Sequence, residues 1–165
     1  MSRLRAGEWT AATGAAALLV TLFLPWFASP AVVFLNTGQV FEDTENAWSS
    51  LGWVTLAFCI AAIGCGAWLA IANTTNRPVA QIVAASVLTP TAGTLGFVAL
   101  ALRALVFQPG PNDLVVLRYG AWLGLLAALV LALGGWWAIK DERTDAPESA
   151  YTPPEARPPP PARAA

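Results

Sequence analysis

The chain has 165 residues, of which 56% are hydrophobic and 12% are charged, and its mean hydropathy is +0.57. A soluble domain carries about 25% charged residues, so half of the usual charged surface is missing, which favours a membrane protein. The net charge of −1 excludes an overall positive field that would attract nucleic acid, and we predict no nucleic-acid partner.

Several kinds of chemistry lack their usual residues. The chain has no histidine, which removes the common haem ligand, the imidazole ligand of zinc and the commonest general base. Cys59 and Cys65 lie in one apolar segment at a spacing that turns their side chains about 240° apart on a helix, so we predict free thiols. No pair of nucleophile and base is recognisable. We therefore predict no enzyme, no metal site and no cofactor.

The first predicted helix is the apolar run over residues 9–27, which follows Arg3 and Arg5. The sequence over residues 29–31 loosely resembles a cleavage site, so a signal peptide is the alternative. The run is longer, and its end over residues 24–27 bulkier, than in a typical signal. These features favour an uncleaved spanning helix.

The segment over residues 28–47 is acidic and contains neither lysine nor arginine. Two short apolar stretches, residues 32–35 and 40–41, flank the turn-forming residues 36–38. This pattern predicts a short hairpin, although two short strands alone are only marginally stable. The alternative is an irregular loop whose apolar residues rest on the membrane surface.

The second and third helices are predicted over residues 49–72 and 79–107. Because the link between them is short, they form an antiparallel pair. Pro90 lacks a backbone donor and is expected to kink the third helix. Threonines near this proline either line a polar path or bond back to carbonyls of their own helix, and these are Thr89, Thr91 and Thr94.

The fourth helix is predicted over residues 114–139. Its uncharged part, residues 119–139, would be about 31 Å long, which matches the hydrocarbon core of a bilayer. The tail over residues 144–165 contains seven prolines and few apolar side chains, so we predict that it is disordered. Such a tail is either a solvated end or a docking peptide for a cytoplasmic partner.

Small residues recur at four-residue spacing in the predicted helices, which allows close helix packing within one chain or between chains. In the second helix these pairs are Ala57/Ala61 and Ala62/Gly66. In the third and fourth helices the predicted packing residues are Pro90, Gly93, Gly96, Gly120, Gly124 and Ala128.

The fold that we predict is all-α, a four-helix transmembrane bundle over residues 1–143 followed by the disordered tail. Basic residues set its orientation, because they are enriched on the cytoplasmic side of membranes. With the N-terminus inside, the cytoplasmic basic residues are Arg3, Arg5, Arg77, Lys140, Arg143, Arg157 and Arg163. We therefore predict a plasma-membrane protein with both termini cytoplasmic.

The candidate ligand site lies on the predicted outer side. Arg103 and Arg118 each fall about one turn from the outer end of a helix, so their guanidinium groups are expected at similar depth. The acidic residues predicted on the same side are Glu42, Asp43 and Glu45. The two arginines and three acidic residues form either a pocket for an anionic group or an interfacial cluster that holds the acidic segment against the bundle.

The transmembrane part resembles small four-span membrane proteins of unknown function from actinobacteria. The motifs that carry the resemblance are Gly7-Glu8-Trp9, Leu24-Pro25-Trp26, Trp48 with Gly52, Arg103, Pro109-Gly110-Pro111, Arg118-x-Gly120-Ala121-x-x-Gly124-Leu125 and Gly134-Gly135-Trp136. The resemblance implies a bacterial plasma-membrane location and no activity.

Two functions are consistent with the sequence. One is a non-enzymatic accessory or assembly protein that acts through helix packing, with the lipid bilayer and either another membrane protein or a second copy of the chain as partners. The other is a binder or transporter of an anionic small or lipidic ligand at the arginine pocket. No Asp or Glu lies within a predicted span, which disfavours proton-coupled transport.

Overall fold

A computed structural model describes residues 5–28, 32–33, 40–41, 44–75, 79–109 and 115–144. The helices are α1 (Ala6–Thr21), α2 (Ala47–Ser50), α3 (Trp53–Thr74), α4 (Val79–Ala101), a π-helical turn (Leu102–Val106) and α5 (Tyr119–Thr144). The strands are β1 (Pro25–Ala28), β2 (Val32–Val33), β3 (Val40–Phe41), β4 (Thr44–Asn46) and β5 (Val116–Leu117). The predicted tail beyond residue 144 lies outside the described residues.

Three of the described helical stretches are long and apolar enough to cross a membrane, namely Trp53–Thr74, Val83–Val106 and Tyr119–Lys140. Their 22 to 24 residues correspond to about 33–36 Å of helix, slightly more than the hydrocarbon core of a bilayer. All three overlap stretches that the sequence predicts as spans, with Trp53–Thr74 extending beyond the predicted end at residue 72 and Tyr119–Lys140 beyond that at residue 139.

The first helix differs from its prediction. It begins at Ala6, where the carboxylate of Glu8 accepts a hydrogen bond of 3.0 Å from the backbone N–H of Arg5. It ends at Thr21 and not at residue 27, because Pro25 disfavours a helical conformation at the residue before it. With 16 residues, α1 is about 24 Å long, shorter than the hydrocarbon core.

The chain beyond α1 forms a sheet that the sequence does not predict. Strand β1 lies between β4 and β5, antiparallel to both, with Phe27 opposite Glu45 on one side and Leu117 on the other. We call the end of the bundle that carries this sheet and α2 the cap end, and the opposite end, which carries Lys140, the lysine end. The predicted hairpin is confirmed as the separate antiparallel pair β2–β3.

Helix α2 and strand β5 explain two further differences in helix bounds. The second span begins at Trp53 because residues 47–50 form the one-turn helix α2, which is followed by an extended residue, Leu51. The fourth helix begins at Tyr119 because residues 116–117 belong to β5.

Helix α5 lies at the centre of the bundle, with half of its spanning stretch buried, whereas only 28% of the α3 stretch is buried. Helix α1 runs antiparallel along α5 at close range, with Gly7 against the backbone of Ala138 and Gly134 against that of Ala11. These two contacts are four residues apart on each helix, in opposite chain directions. Added Cβ atoms at these glycines would overlap the facing backbone, so the close approach of α1 and α5 depends on the two glycines.

Candidate functional site at the cap end

Arg103 lies in the π-helical turn that ends the third span, where the N–H of Phe107 donates to the carbonyl of Leu102 at 2.8 Å. A π-turn contains one extra residue and is frequent at functional sites. The sequence contains no local pattern that predicts this turn.

The guanidinium of Arg103 binds two backbone carbonyls. Its Nη2 donates to the carbonyl of Ser50 at 2.7 Å, and its Nη1 donates to the carbonyl of Phe107. Ser50 is the last residue of α2, and Phe107 directly follows the π-helical turn. Carbonyls at helix ends lack partners within the helix and favour a positive charge nearby. Arg103 therefore joins the ends of two helical segments that are far apart in the sequence.

Two polar atoms beside this clamp lack hydrogen-bond partners among the described residues. Both Nε of Arg103 and Oε1 of Gln108 are buried. The other amide atom of Gln108, Nε2, donates to the carbonyl of Ala104 at 3.0 Å. Most buried polar atoms in proteins have a partner, so these two atoms are exceptions at this end of the bundle.

Arg118 lies at the same end, between β5 and α5. Its backbone N–H donates to the carbonyl of Trp26 at 2.8 Å, and its own carbonyl accepts from the N–H of Ala121 at 3.1 Å. Its backbone therefore connects the sheet to the first turn of α5. The predicted common location of Arg103 and Arg118 at one end of the bundle agrees with the structure.

The acidic residues of the predicted cluster are only partly described. Glu45 is exposed on β4, and it lines a small cleft of about 40 Å³ together with Phe27, Ala28, Pro109 and Val115. Glu42 and Asp43 lie outside the described residues. Strand β1 lies between β4, which carries Glu45, and β5. Strands β4 and β5 are therefore about 10 Å apart. Within the described residues, Arg103 bonds to carbonyls and to no carboxylate.

The packing residues predicted in the third and fourth helices all contact other parts of the same chain. Gly120 faces the carbonyl of Pro25, and Gly124 faces the indole ring of Trp26. On α4, Gly93 contacts Leu131 and Ala132, and Gly96 contacts Phe58 and Ala62. Pro90 is buried against Gly135, and Ala128 is in the main apolar core.

Trp26 is the residue whose role the sequence does not reveal. Its position at the end of the first apolar run predicts an aromatic anchor at the membrane surface. Instead its side chain is completely buried, and its Nε1 donates to the carbonyl of Thr21 at 2.6 Å. The other seven tryptophans are between 39% and 82% exposed, as expected for anchors. The interruption of the apolar run by Pro25 is the one signal that sets Trp26 apart.

The threonines near Pro90 do not line a polar path. Thr89 donates to the carbonyls of Ala85 at 2.7 Å and Cys65 at 3.1 Å, and Thr91 donates to that of Val87 at 3.0 Å. The hydroxyl of Thr94 accepts from Nε1 of Trp136 at 3.2 Å. The hydroxyls of Thr89 and Thr94 therefore join neighbouring helices, whereas that of Thr91 bonds back to its own helix. Both cysteines are free thiols as predicted.

The fold and the site define a helical membrane protein with a sheet-containing cap. Among the described residues, no three acidic or cysteine side chains lie close enough together to hold a metal ion. Comparisons with protein-family models, with curated proteins and with solved structures found no match.

Proposed function

We propose that this chain is a non-enzymatic accessory or assembly protein of a bacterial plasma membrane. In this proposal it acts through lateral packing of its helices against another membrane protein or a second copy of itself. The resemblance to small four-span actinobacterial proteins is consistent with the location. The observation that carries the proposal is the outward face of α3.

One of the two small-residue pairs of α3 is used within the chain. Ala62 lies 3.3 Å from the position of a Cβ at Gly96, and Gly66 faces Ala15 in the same way at 2.9 Å. The other pair, Ala57 and Ala61, is exposed. These two residues and Gly64 lie on one face of the helix.

This exposed face has the shape of a helix-packing site. Nothing among the described residues lies within 4 Å of a Cβ at Gly64, while Val54, Trp68 and Ile71 project at either end of the same stripe. A small centre between larger residues lets a neighbouring helix approach closely in a bilayer. Because α3 is the least enclosed of the three spanning helices, its face is open to a lateral partner.

The experiment is purification from native membranes in a mild detergent, with mass spectrometry of the proteins that are retained. We expect a stoichiometric partner, or a dimer, that is lost in Ala61→Leu because the larger side chain fills the centre of the face. Ala67→Leu is the matched control, since Ala67 is also exposed but lies about 120° around the same helix from Ala61. Equal retention in the two variants, or no partner with the wild type, contradicts the proposal.

The proposed orientation places the lysine end and both termini in the cytoplasm. It rests on the predicted distribution of basic residues, with seven on that side and Arg103 and Arg118 on the other. In this orientation the cap faces outward.

A second candidate function is the binding of an anionic ligand at the cap end. The observation in its favour is the pair of buried polar atoms without partners, Nε of Arg103 and Oε1 of Gln108. A guanidinium has five N–H donors, and Arg103 uses two of them on carbonyls. A ligand with an anionic group and an adjacent hydroxyl would supply an acceptor to Arg103 and a donor to Gln108.

Gln108→Met separates this candidate from a purely structural role of the cluster. The substitution removes the unpartnered oxygen, together with the Nε2 hydrogen bond to the carbonyl of Ala104, while leaving the clamp of Arg103 intact. If a ligand binds, its retention through purification is expected to fall about tenfold while unfolding is little changed. If the cluster is only structural, retention is the same as in the wild type, and stability changes little because the lost hydrogen bond to Ala104 offsets the removal of a buried unpaired oxygen.

A further inference from the structure

A long apolar groove runs along the outside of the bundle between α1 and α5. It has two parts, of about 590 Å³ and about 410 Å³, which meet at Val130. On α5 it follows a single stripe of Leu126, Val130, Leu133 and Trp137 and ends at Lys140. This end of the groove lies opposite the cap.

Most side chains of the α1 wall are small, which gives the groove its depth. Thr10, Thr13 and Ala17 contribute to it. The threonine hydroxyls are bonded to their own helix, Thr10 to the carbonyl of Ala6 and Thr13 to that of Trp9, both at 2.8 Å. Because these polar groups are already paired, the wall is effectively apolar.

A basic side chain lies at one end of this groove. Lys140, the one lysine of the chain, lines the groove and is exposed. Arg5 lies two residues before Gly7 and Lys140 two residues after Ala138, so the antiparallel register of α1 and α5 puts them at the same level. Glu8 is only 7% exposed, and its carboxylate accepts a hydrogen bond from the backbone N–H of Arg5. Because Lys140 is exposed and its ammonium group has three N–H donors, it can donate to an anion at the groove end.

We propose that the groove binds a phospholipid with an anionic headgroup, whose phosphate contacts Lys140 and whose acyl chain lies between α1 and α5. The distance from Lys140 to Val130 is ten helical residues, about 15 Å, which is half of the hydrocarbon thickness and therefore one leaflet. Assignment of this leaflet to the cytoplasmic side rests on the orientation proposed above. The lipid site itself does not depend on the partner proposed for α3.

The shape of the groove favours a lipid chain over a helix as its occupant. Leu126, Leu133 and Trp137 are large side chains along its α5 wall, and Leu126 and Leu133 are 57% and 56% exposed. Such projecting side chains hold a neighbouring helix away, whereas close helix packing needs small residues at the contact. A flexible chain with one charged end matches both the narrow apolar groove and the cation at its end.

The test uses the full chain in vesicles of equal phosphatidylglycerol and phosphatidylcholine, extracted gently for native mass spectrometry of the bound lipids. We expect phosphatidylglycerol to be retained preferentially. Lys140→Gln is expected to reduce this preference about fivefold, and Lys140→Arg to keep it, because one basic group at an anionic surface is lost only in the first.

A second pair of variants tests the apolar part. Thr13→Leu narrows the groove and is expected to lower retention of the lipid. Thr91→Leu is the matched control, because Thr91, like Thr13, is exposed and bonded to its own helix but lies outside the groove. The control is expected to retain lipid as the wild type does.

Four results would each overturn the proposal. These are equal retention of the two lipids by the wild type, an unchanged preference in Lys140→Gln, equal lipid retention in Thr13→Leu and Thr91→Leu, and a dimer that is lost specifically in Thr13→Leu. The last result would assign the groove to a second copy of the chain.

Discussion

Single residues hold the cap end together by contacts between backbone and side chain. Arg103 joins α2 to the end of α4 through carbonyls, and Trp26 fills the space above Gly124. Neither contact involves a second side-chain functional group that a sequence pattern could reveal. The structure therefore gives both residues a positioning role at the cap end.

The contact between Gly124 and Trp26 leads to a prediction about stability. A Cβ atom at Gly124 would overlap the indole, which cannot easily move because it is fully buried and its Nε1 is hydrogen-bonded to Thr21. We expect Gly124→Ala to destabilise the protein by about 1–3 kcal/mol. Unfolding in a denaturing detergent measures the change.

Gly64→Ala is the control for this prediction, since it makes the same change in another spanning helix. Nothing among the described residues lies within 4 Å of the added methyl group there, so stability should be unchanged or slightly higher. Equal destabilisation by the two substitutions would show that the Trp26 contact is not the cause.

At the scale of elements, the spanning helices follow from local sequence and the cap does not. An uncharged apolar run predicts α5, and the predicted and observed bounds of α3 overlap over most of their length. The sheet instead pairs Phe27 with Leu117, and strands of two to four residues leave no local pattern that identifies such partners. Tertiary pairing therefore decided where α5 begins, whereas the end of α1 follows locally from Pro25.

The candidate site likewise contains residues that the local sequence predicts and partners that it does not. Arg103 is predictable as an ionisable residue near the end of a span, and Gly124 as a small residue of a packing stripe. Their partners are the carbonyls of Ser50 and Phe107 and the ring of Trp26, which depend on the unpredicted cap. A glycine stripe specifies close approach but not whether a helix or a strand segment approaches.

Cross-linking tests the order of the strands in the sheet. Ala28 and Val116 are Cα partners in neighbouring antiparallel strands, so their Cα atoms are about 4.5–5.5 Å apart and within reach of a disulfide. In a chain with Cys59 and Cys65 replaced by alanine, we expect Ala28→Cys with Val116→Cys to form an intramolecular disulfide on mild oxidation. Mobility on a non-reducing gel reports it.

The control pair is Thr44→Cys with Val116→Cys. Thr44 and Val116 pair with Ala28 from opposite sides, so they are about 10 Å apart, beyond the range of a disulfide. Similar cross-linking of both pairs would mean that the strands are not held in this order.

At the scale of the whole molecule, the orientation of the chain in the membrane decides on which side the cap end, the lysine end and the proposed lipid lie. Helix α3 begins at the cap end and reaches the opposite end near Thr75, so Glu45 and Thr75 lie on opposite sides of the bundle. Both residues are exposed. If basic residues set the orientation as proposed, Glu45 faces outward and Thr75 faces the cytoplasm.

Single cysteines at these positions report the orientation directly. With Cys59 and Cys65 replaced by alanine, we expect Glu45→Cys to react with a membrane-impermeant maleimide in intact cells, and Thr75→Cys to react only after permeabilisation. The reverse pattern would move the anionic-lipid groove end to the outer leaflet and the cap to the cytoplasm. Reaction of both in intact cells would show that α3 does not cross the membrane, because its two ends would then share one side.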